Sequence, residues 1–392
     1  MQRSAESCSV TDAKLPFLAY GRQWIGDDDA AAVAAALHSD HLTTGPRVAA
    51  FERDLASVCG TKHAIAVNSG TAALHAAYSA AGLRPGDELV TSPLTFAATA
   101  NAALYLGATV RFADVCADTG NLDPAAAAAA ISAKTKLVTA VDYAGHPADY
   151  LALERVVGKR CAIIADAAHA IGATLNGKPV GTLAALTCLS FHPVKTITTG
   201  EGGAVVTNDA VMAASAARFR THGIERDPAV MPAAEGPWWY EQRELGFNYR
   251  ITDVQCALGS SQLAKLTRFV DRRRQIAARY TAAFSACAAL EVPTIRAGAQ
   301  PAWHLYPLRV RDATRRRAFF ERLRALNLGV QVHYIPVYWH PYYQALGYRR
   351  GMCPVAENYY ARQVSLPMYP KLTDPEIDSV IERVLLAAKD LL

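Results

Sequence analysis

The chain has 392 residues, 51% hydrophobic and 19% charged, which excludes disorder as its main state and fits two domains. Its 40 Lys and Arg against 35 Asp and Glu leave a net charge of +5. That charge is spread along the length rather than gathered into a basic stripe, and no apolar run approaches the ~18 residues of a membrane span, so neither a nucleic-acid nor a membrane partner is expected.

Met1 to Lys14 is polar and lacks the apolar core of a signal peptide, so residues 1–14 read as a tail. Asp27 to Leu37 has a helical pattern with an acidic start that suits a helix N-terminus. His63 to Val67 reads as a strand, Asn68-Ser69-Gly70-Thr71 as a turn and Ala72 to Ala81 as a helix. Strands follow at 88–90, 110–112, 137–141, 162–165, 186–191 and 203–207, with helix-length segments between most of them. Pro124, ahead of the alanine run Ala125 to Ala130, suits the first turn of a helix. This alternation predicts an α/β fold with a mainly parallel sheet and helices on both faces. Thr252 to Phe284 reads as one long helix. The strand Leu305 to Val310, the helix Thr314 to Leu326, the strand Gly329 to His333 and a closing helix from Pro375 follow. The expected division is a large domain over 15–265 and a smaller C-terminal α/β domain over 266–392. The eight cysteines have no CxxC spacing and no histidine cluster beside them. No metal site is expected, and the cysteine usage suits a reducing cytoplasm.

Three segments carry chemistry. In Asn68-Ser69-Gly70-Thr71 a glycine and small hydroxyls open a helix, which leaves backbone N–H groups free for a phosphate; taken singly, such a turn also reads as an ordinary cap. Ile163-Ile164-Ala165-Asp166-Ala167-Ala168-His169 puts an acid at the end of an apolar strand, where burial is costly without a cation or strong donors. Taken singly it also reads as a structural aspartate. Ser190-Phe191-His192-Pro193-Val194-Lys195, leading to Gly200-Glu201-Gly202-Gly203, puts a lysine between a strand and a glycine-rich turn. Poorly solvated, that lysine becomes a competent amine nucleophile; taken singly it also reads as a surface lysine on a loop. The segment is neither a Walker loop nor a dinucleotide fingerprint. Together a phosphate cradle, a buried acid and a poised lysine are what a pyridoxal phosphate enzyme needs.

With these motifs, and with Gly246-Phe247-Asn248-Tyr249-Arg250 leading into Asp253-Val254-Gln255-Cys256-Ala257-Leu258-Gly259, the chain resembles the pyridoxal-phosphate-dependent nucleotide-sugar aminotransferases of fold type I. The resemblance runs from about Leu15 to the C-terminus. It is closer still to the subgroup making the 4-amino sugar precursor of pseudaminic acid, through Tyr20, Val141-Asp142-Tyr143-Ala144-Gly145, His222-Gly223 and Gln331-Val332-His333-Tyr334-Ile335-Pro336. The resemblance implies a large, mostly parallel seven-stranded sheet domain with a smaller α/β domain, and a role at each matching position. Lys195 would form the Schiff base and shuttle the proton. Asp166 would pair with the pyridine nitrogen and His169 would lie beside the ring hydroxyl. Gly70, Thr71 and Ser190 would hold the phosphate, and Phe96 would stack on the ring. Asn248 would reach the phosphate in a neighbouring subunit, which implies a homodimer with shared sites. Tyr20, Thr43, Arg250, His333 and Tyr334 are candidates for the sugar-nucleotide pocket, each with a plain packing, turn or surface alternative. The segment Arg226 to Tyr240, with Trp238 and Trp239, has no assigned role.

The reaction implied is a transamination from L-glutamate to C4 of a UDP-linked 4-keto-6-deoxy-2-acetamido sugar. Three alternatives stand beside it: a related 4-aminotransferase for another nucleotide sugar, such as a perosamine-type one, a sugar dehydratase, and a non-catalytic regulatory protein on the same scaffold. The dehydratase is disfavoured because Lys195 is intact. The regulatory reading is disfavoured because Lys195, Asp166 and Ser190 are all retained.

Overall fold

The computed structural model describes residues 15–231 and 235–391; the tail expected over 1–14 lies outside the described residues. Seven strands build the central sheet: β1 (His63–Val67), β2 (Glu88–Thr91), β3 (Thr109–Phe112), β4 (Thr135–Val141), β5 (Ala162–Asp166), β6 (Leu186–Ser190) and β7 (Gly203–Thr207). Their order in space is β1-β7-β6-β5-β4-β2-β3. Only β7 runs against its neighbours, pairing antiparallel with β1 and β6, while the remaining ladders are parallel. The mainly parallel α/β sheet expected from the sequence is therefore present.

These strands are apolar along their length because the sheet is covered on both faces. Side-chain alternation sends Ile65, Val67, Leu89, Ile164 and Val205 into one core, and Ala66, Val90, Ile163, Ala165 and Val206 into the other. The covering helices in this part of the chain are α1 (Asp27–Leu37), α2 (Pro46–Cys59), α3 (Gly70–Ala80), α4 (Ala98–Tyr105), α5 (Pro124–Ala130), α6 (Tyr150–Val157), α7 (Ala210–Arg220) and α8 (Asp253–Leu263). Acidic residues cap several of them: Asp123, Asp149 and Asp209 each accept from backbone N–H groups in the first turn of α5, α6 and α7.

The helix expected over Thr252 to Phe284 is two helices, because α8 stops at Leu263 and α9 spans Leu266–Phe284. The break falls where Lys265 reaches back to Asp28 and Asp29 at the start of α1, 2.8 and 2.7 Å away. Gln262 joins the same knot through the Trp24 carbonyl and Asp29. A single straight helix would have to abandon these non-local contacts.

Beyond α9, a second sheet pairs β8 (Leu290–Glu291), β9 (Tyr306–Val310) and β10 (Gln363–Leu366), all antiparallel. The helices α10 (Arg316–Ala325), α11 (Pro341–Ala345), α12 (Pro354–Arg362) and α13 (Asp374–Lys389) complete the chain. A third core gathers Ile276, Tyr280, Phe284, Tyr306, Leu308, Leu323, Val364, Ile377 and Val384 from α9, β9, α10, β10 and α13. Two segments cross over. Leu266, Phe269 and Val270 at the start of α9 pack in a core of the large sheet, and Val337, Tyr338, Tyr343, Ala356 and Tyr359 return to the other.

The strand expected over Gly329 to His333 is absent. That segment divides its backbone bonds between two partners, Leu18 on one side and Ser365 on the other, and makes only single bridges. Gly329 is pressed against the Leu18–Tyr20 segment, where a Cβ would stand 2.9 Å from the Ala19 Cα. Among the described residues no helix is long and apolar enough to cross a membrane.

Candidate active site

A cavity of about 940 Å³ opens at the C-terminal ends of β4, β5 and β6, where ligands sit in open α/β sheets. One wall is the turn from β1 into α3. Ser69 caps the helix by accepting from the Ala72 N–H at 3.1 Å, and the first N–H groups after it have no acceptor within the helix. Gly70 is required here by space: a Cβ would lie 2.9 Å from the Ser190 Cβ, so β6 and α3 could not close up. The Gly70 backbone, Thr71 and Ser190 thus meet on one side of the cavity.

The floor is Asp166, the last residue of β5, only 5% exposed. Its carboxylate accepts from the Thr99 hydroxyl at 2.6 Å and from the Ala168 N–H at 3.2 Å. Burial raises its pKa, and these two donors together with the positive Lys195 offset part of that rise. Thr99 is itself tied to Thr95 at 2.6 Å, which fixes its hydroxyl in the α4 entry.

Lys195 rises from the loop between β6 and β7. That loop is closed on itself: Phe191 N–H donates to the Gly202 carbonyl, Thr199 N–H and the Thr198 hydroxyl both donate to the Phe191 carbonyl, and Gly200 turns with φ +80°. Among the described residues the Lys195 amine has no hydrogen bond or ion pair. Burial lowers its pKa to about 8, Asp166 opposes that shift and Arg273 adds to it. An amine so poised is a nucleophile and base near neutral pH.

His169 closes the turn after β5, with its Nε2 3.0 Å from the Tyr334 hydroxyl and its Nδ1 buried without a partner. Burial, Lys195 and His333 push its pKa well down. His333 sits beside Tyr20, ring centroids 5.6 Å apart, with its Nδ1 2.9 Å from the Ser365 hydroxyl. Burial holds its pKa at about 4. Phe96 is 65% exposed at the cavity rim, 6.4 Å from the Tyr334 ring.

The structure therefore brings Lys195, Asp166, His169, Gly70, Thr71, Ser190, Phe96, Tyr20, His333 and Tyr334 to one cavity. It does not bring Asn248, Thr43 or Arg250 there. Asn248 is exposed and paired through its backbone with Thr221, Thr43 bridges Thr252, and Arg250 bridges Val67. Sequence reasoning missed Thr99 and His304, which also line the cavity. Thr99 was findable in principle, since a buried aspartate demands a donor; His304 carried no signal beyond being a histidine ahead of a strand.

These groups fit pyridoxal phosphate. The cradle excludes a Cβ at Gly70, the acid is buried with only two donors, the amine is unpaired and the His169 Nδ1 is an orphan. Each is a polar demand that the protein alone leaves open.

A family model described as the DegT/DnrJ/EryC1/StrS aminotransferase family matches residues 23–385. The spore coat polysaccharide biosynthesis protein SpsC of Bacillus subtilis is 40% identical over 374 residues, covering 94% of this chain and 96% of that protein. A UDP-4-amino-4,6-dideoxy-N-acetyl-beta-L-altrosamine transaminase of Campylobacter jejuni is 37% identical over 362 residues, covering 91% and 93%. The solved structure of Helicobacter pylori PseC, an aminotransferase involved in the biosynthesis of pseudoaminic acid, superposes with a TM-score of 0.89 at 32% identity, covering 95% of this chain and 100% of that one. The fold is that of the fold type I aminotransferases.

Proposed function

Because the chain belongs to the DegT/DnrJ/EryC1/StrS aminotransferase family, we propose that it moves an amino group from L-glutamate to C4 of a UDP-linked 4-keto-6-deoxy-2-acetamido sugar. Members of the family are pyridoxal-phosphate-dependent sugar aminotransferases, so this chain is one and pyridoxal 5′-phosphate is its cofactor. The observation that carries the reaction type is the unpaired Lys195 amine in the same cavity as the buried Asp166.

When bound, the cofactor supplies an electron sink for the negative charge left at a carbon that loses a proton. The residues of this chain do the rest. Gly70, Thr71 and Ser190 bind the phosphate, with the α3 N-terminus adding its dipole. The Asp166 carboxylate holds a proton at the pyridine nitrogen, and Thr99 orients that carboxylate. Lys195 would hold the cofactor, and as a free amine it would take the proton from the donor α-carbon. In the second half-reaction it delivers a proton at the sugar C4. Phe96 covers the ring and excludes water. Tyr20, His333 and Tyr334, which line the cavity, would meet the sugar, while Thr43 and Arg250, which do not line it, would meet the nucleotide only if it extends beyond the cavity.

A homodimer with shared sites belongs to this proposal. Asn248 would reach the partner's cofactor phosphate. The exposed Tyr105 and Phe247 flank His75, an aromatic patch that suits a subunit contact. The stretch from Arg226 to Tyr240, of which 232–234 lie outside the described residues, carries exposed Trp238 and Tyr240, which would suit such a contact.

A second reading has its own support. The relative at 40% identity is a spore coat polysaccharide protein rather than an altrosamine transaminase, which favours a different nucleotide-linked keto sugar. A panel of UDP- and GDP-linked 4-keto sugars with glutamate, followed by product mass, separates the two. Amination of the L-configured UDP-4-keto-2-acetamido sugar is the expected result. Amination of another panel member alone would replace the narrow assignment with the second reading.

A further inference from the structure

Two imidazoles pack against each other, tilted, at the cavity wall. The ring centroids of His169 and His304 lie 4.3 Å apart with 38° between their planes, and both residues are buried. The contact is built from three directions. Gly145, at φ +92°, lets three backbone segments converge: a Cβ there would stand 2.8 Å from the His169 carbonyl oxygen, 2.9 Å from the Trp303 nitrogen and 3.0 Å from the His304 nitrogen. The segment holding His304 is pinned to that turn by Ala302 N–H donating to Gly145 and Leu305 N–H donating to Ala144, at 2.9 and 3.3 Å. From α9, the buried Arg273 donates to the carbonyls of Trp303 and His304 at 3.2 and 3.3 Å. The Nδ1 atoms of both histidines are buried without hydrogen-bond partners, so ring faces make this contact.

We propose that His304 is a positioning residue for the reaction: packed against His169, it fixes the plane in which that imidazole faces the bound cofactor. The inference goes beyond the choice of sugar and rests only on the cofactor site. Its consequence is that His169 must stay uncharged. Lys195 from the β6–β7 loop, His304 from ahead of β9, and His333 and Tyr334 from the segment before α11 all surround it. Arg273 stands behind His304, and Asp166 is the acid of the His169 turn. A proton on His169 would set a cation against the lysine and the adjoining ring, which burial already disfavours.

The test compares His304→Ala and His304→Phe with the native protein by NMR titration of the His169 ring in the apoprotein, and by absorbance titration of the bound cofactor. In His304→Ala, water reaches the exposed ring face. His169 is expected to titrate near the ordinary imidazole value of about 6.5, with a matching new step in the absorbance and a fall in turnover of about tenfold. The native protein should show no His169 step in that range. His304→Phe keeps an uncharged aromatic face and should abolish the new step. An alanine variant that titrates like the native protein overturns the proposal, and so does a phenylalanine variant that titrates like alanine. Should alanine fail to fold, His304→Asn, polar and without a ring, takes its place against phenylalanine with the same two outcomes.

Discussion

Arg273 and Lys195 are both cations whose pKa desolvation lowers, and their surroundings differ. Arg273, in the middle of α9, is fully buried, and its Nη1 serves the carbonyls of Trp303, His304 and Met368 at 3.2, 3.3 and 2.8 Å. Lys195, at the mouth of the cavity, has no acceptor among the described residues. Burial lowers both, Arg273 to about 9 and Lys195 to about 8. The guanidinium is held at its Nη1 by three backbone carbonyls, while its Nε and Nη2 have no partner among the described residues. The amine is kept poor in partners so that a ligand can satisfy it. A buried cation with acceptors is architecture, and one without them is chemistry.

The comparison breaks first at Lys195. Lys195→Ala should lower turnover by roughly 10⁴-fold, because the general base and the covalent anchor leave together. The variant should lose no stability, since no internal hydrogen bond is lost and no amine charge is drawn out of water. A large drop in stability would mean that Lys195 is architectural after all. Arg273→Met should do the reverse. Leaving the buried carbonyls without that donor costs about 1–3 kcal/mol, read as a shift in the denaturant midpoint, while cofactor still binds at low temperature. Unchanged stability would remove the contrast.

How much of this was legible in the sequence depended on how local the cause was. Lys195, Asp166 and Gly70 each lie in a strand-turn segment that alone also reads as ordinary structure, but the three together pointed to one site, and they line one cavity. The seven-stranded sheet followed from the apolar, β-branched runs. The break between α8 and α9 was hidden, because Lys265 is a good helix former whose partners Asp28 and Asp29 stand over 230 positions away in the chain. The absent strand near Gly329 was hidden too, since its β-favouring residues find two different partners only in the folded chain. Thr99 was missed because the demand of a buried acid for a donor does not say which residue, 67 positions away, will meet it.

Thr99 sharpens the contrast at smaller scale. Thr99→Val keeps the shape and removes the 2.6 Å donor from Asp166. Losing a hydrogen bond to a buried charge costs about 1.5–3 kcal/mol. The same loss raises the Asp166 pKa further, since Thr99 holds it down. Turnover should therefore fall by roughly tenfold or more, with the fall deepening toward acid, where a carboxyl of raised pKa is the first to take up a proton. A flat, pH-independent deficit would assign Thr99 to packing alone.

The smallest effect is a matter of pH. A lysine held at about 8 instead of its usual 10.5 is about one-tenth unprotonated at pH 7 and about nine-tenths at pH 9. The rate at which apoprotein captures pyridoxal phosphate should rise about tenfold over that interval and then level, whereas a solvated lysine would still be climbing. Stability carries the same sign. The folded-state value lies below the unfolded one, so between about 8 and 10.5 the unfolded chain binds more protons and the native state gains stability as pH rises; below about 8 that gain is absent, because both states carry the proton and the folded one must bury it. Lys195→Met has no proton to place, so its stability should exceed that of the native apoprotein by a margin that narrows from pH 8 to pH 10.5. Arg273, held at about 9, is present in both proteins, so its own titration cancels from this margin. A margin that stays constant across the window would show that the Lys195 amine is solvated, and would erase the difference between the two cations.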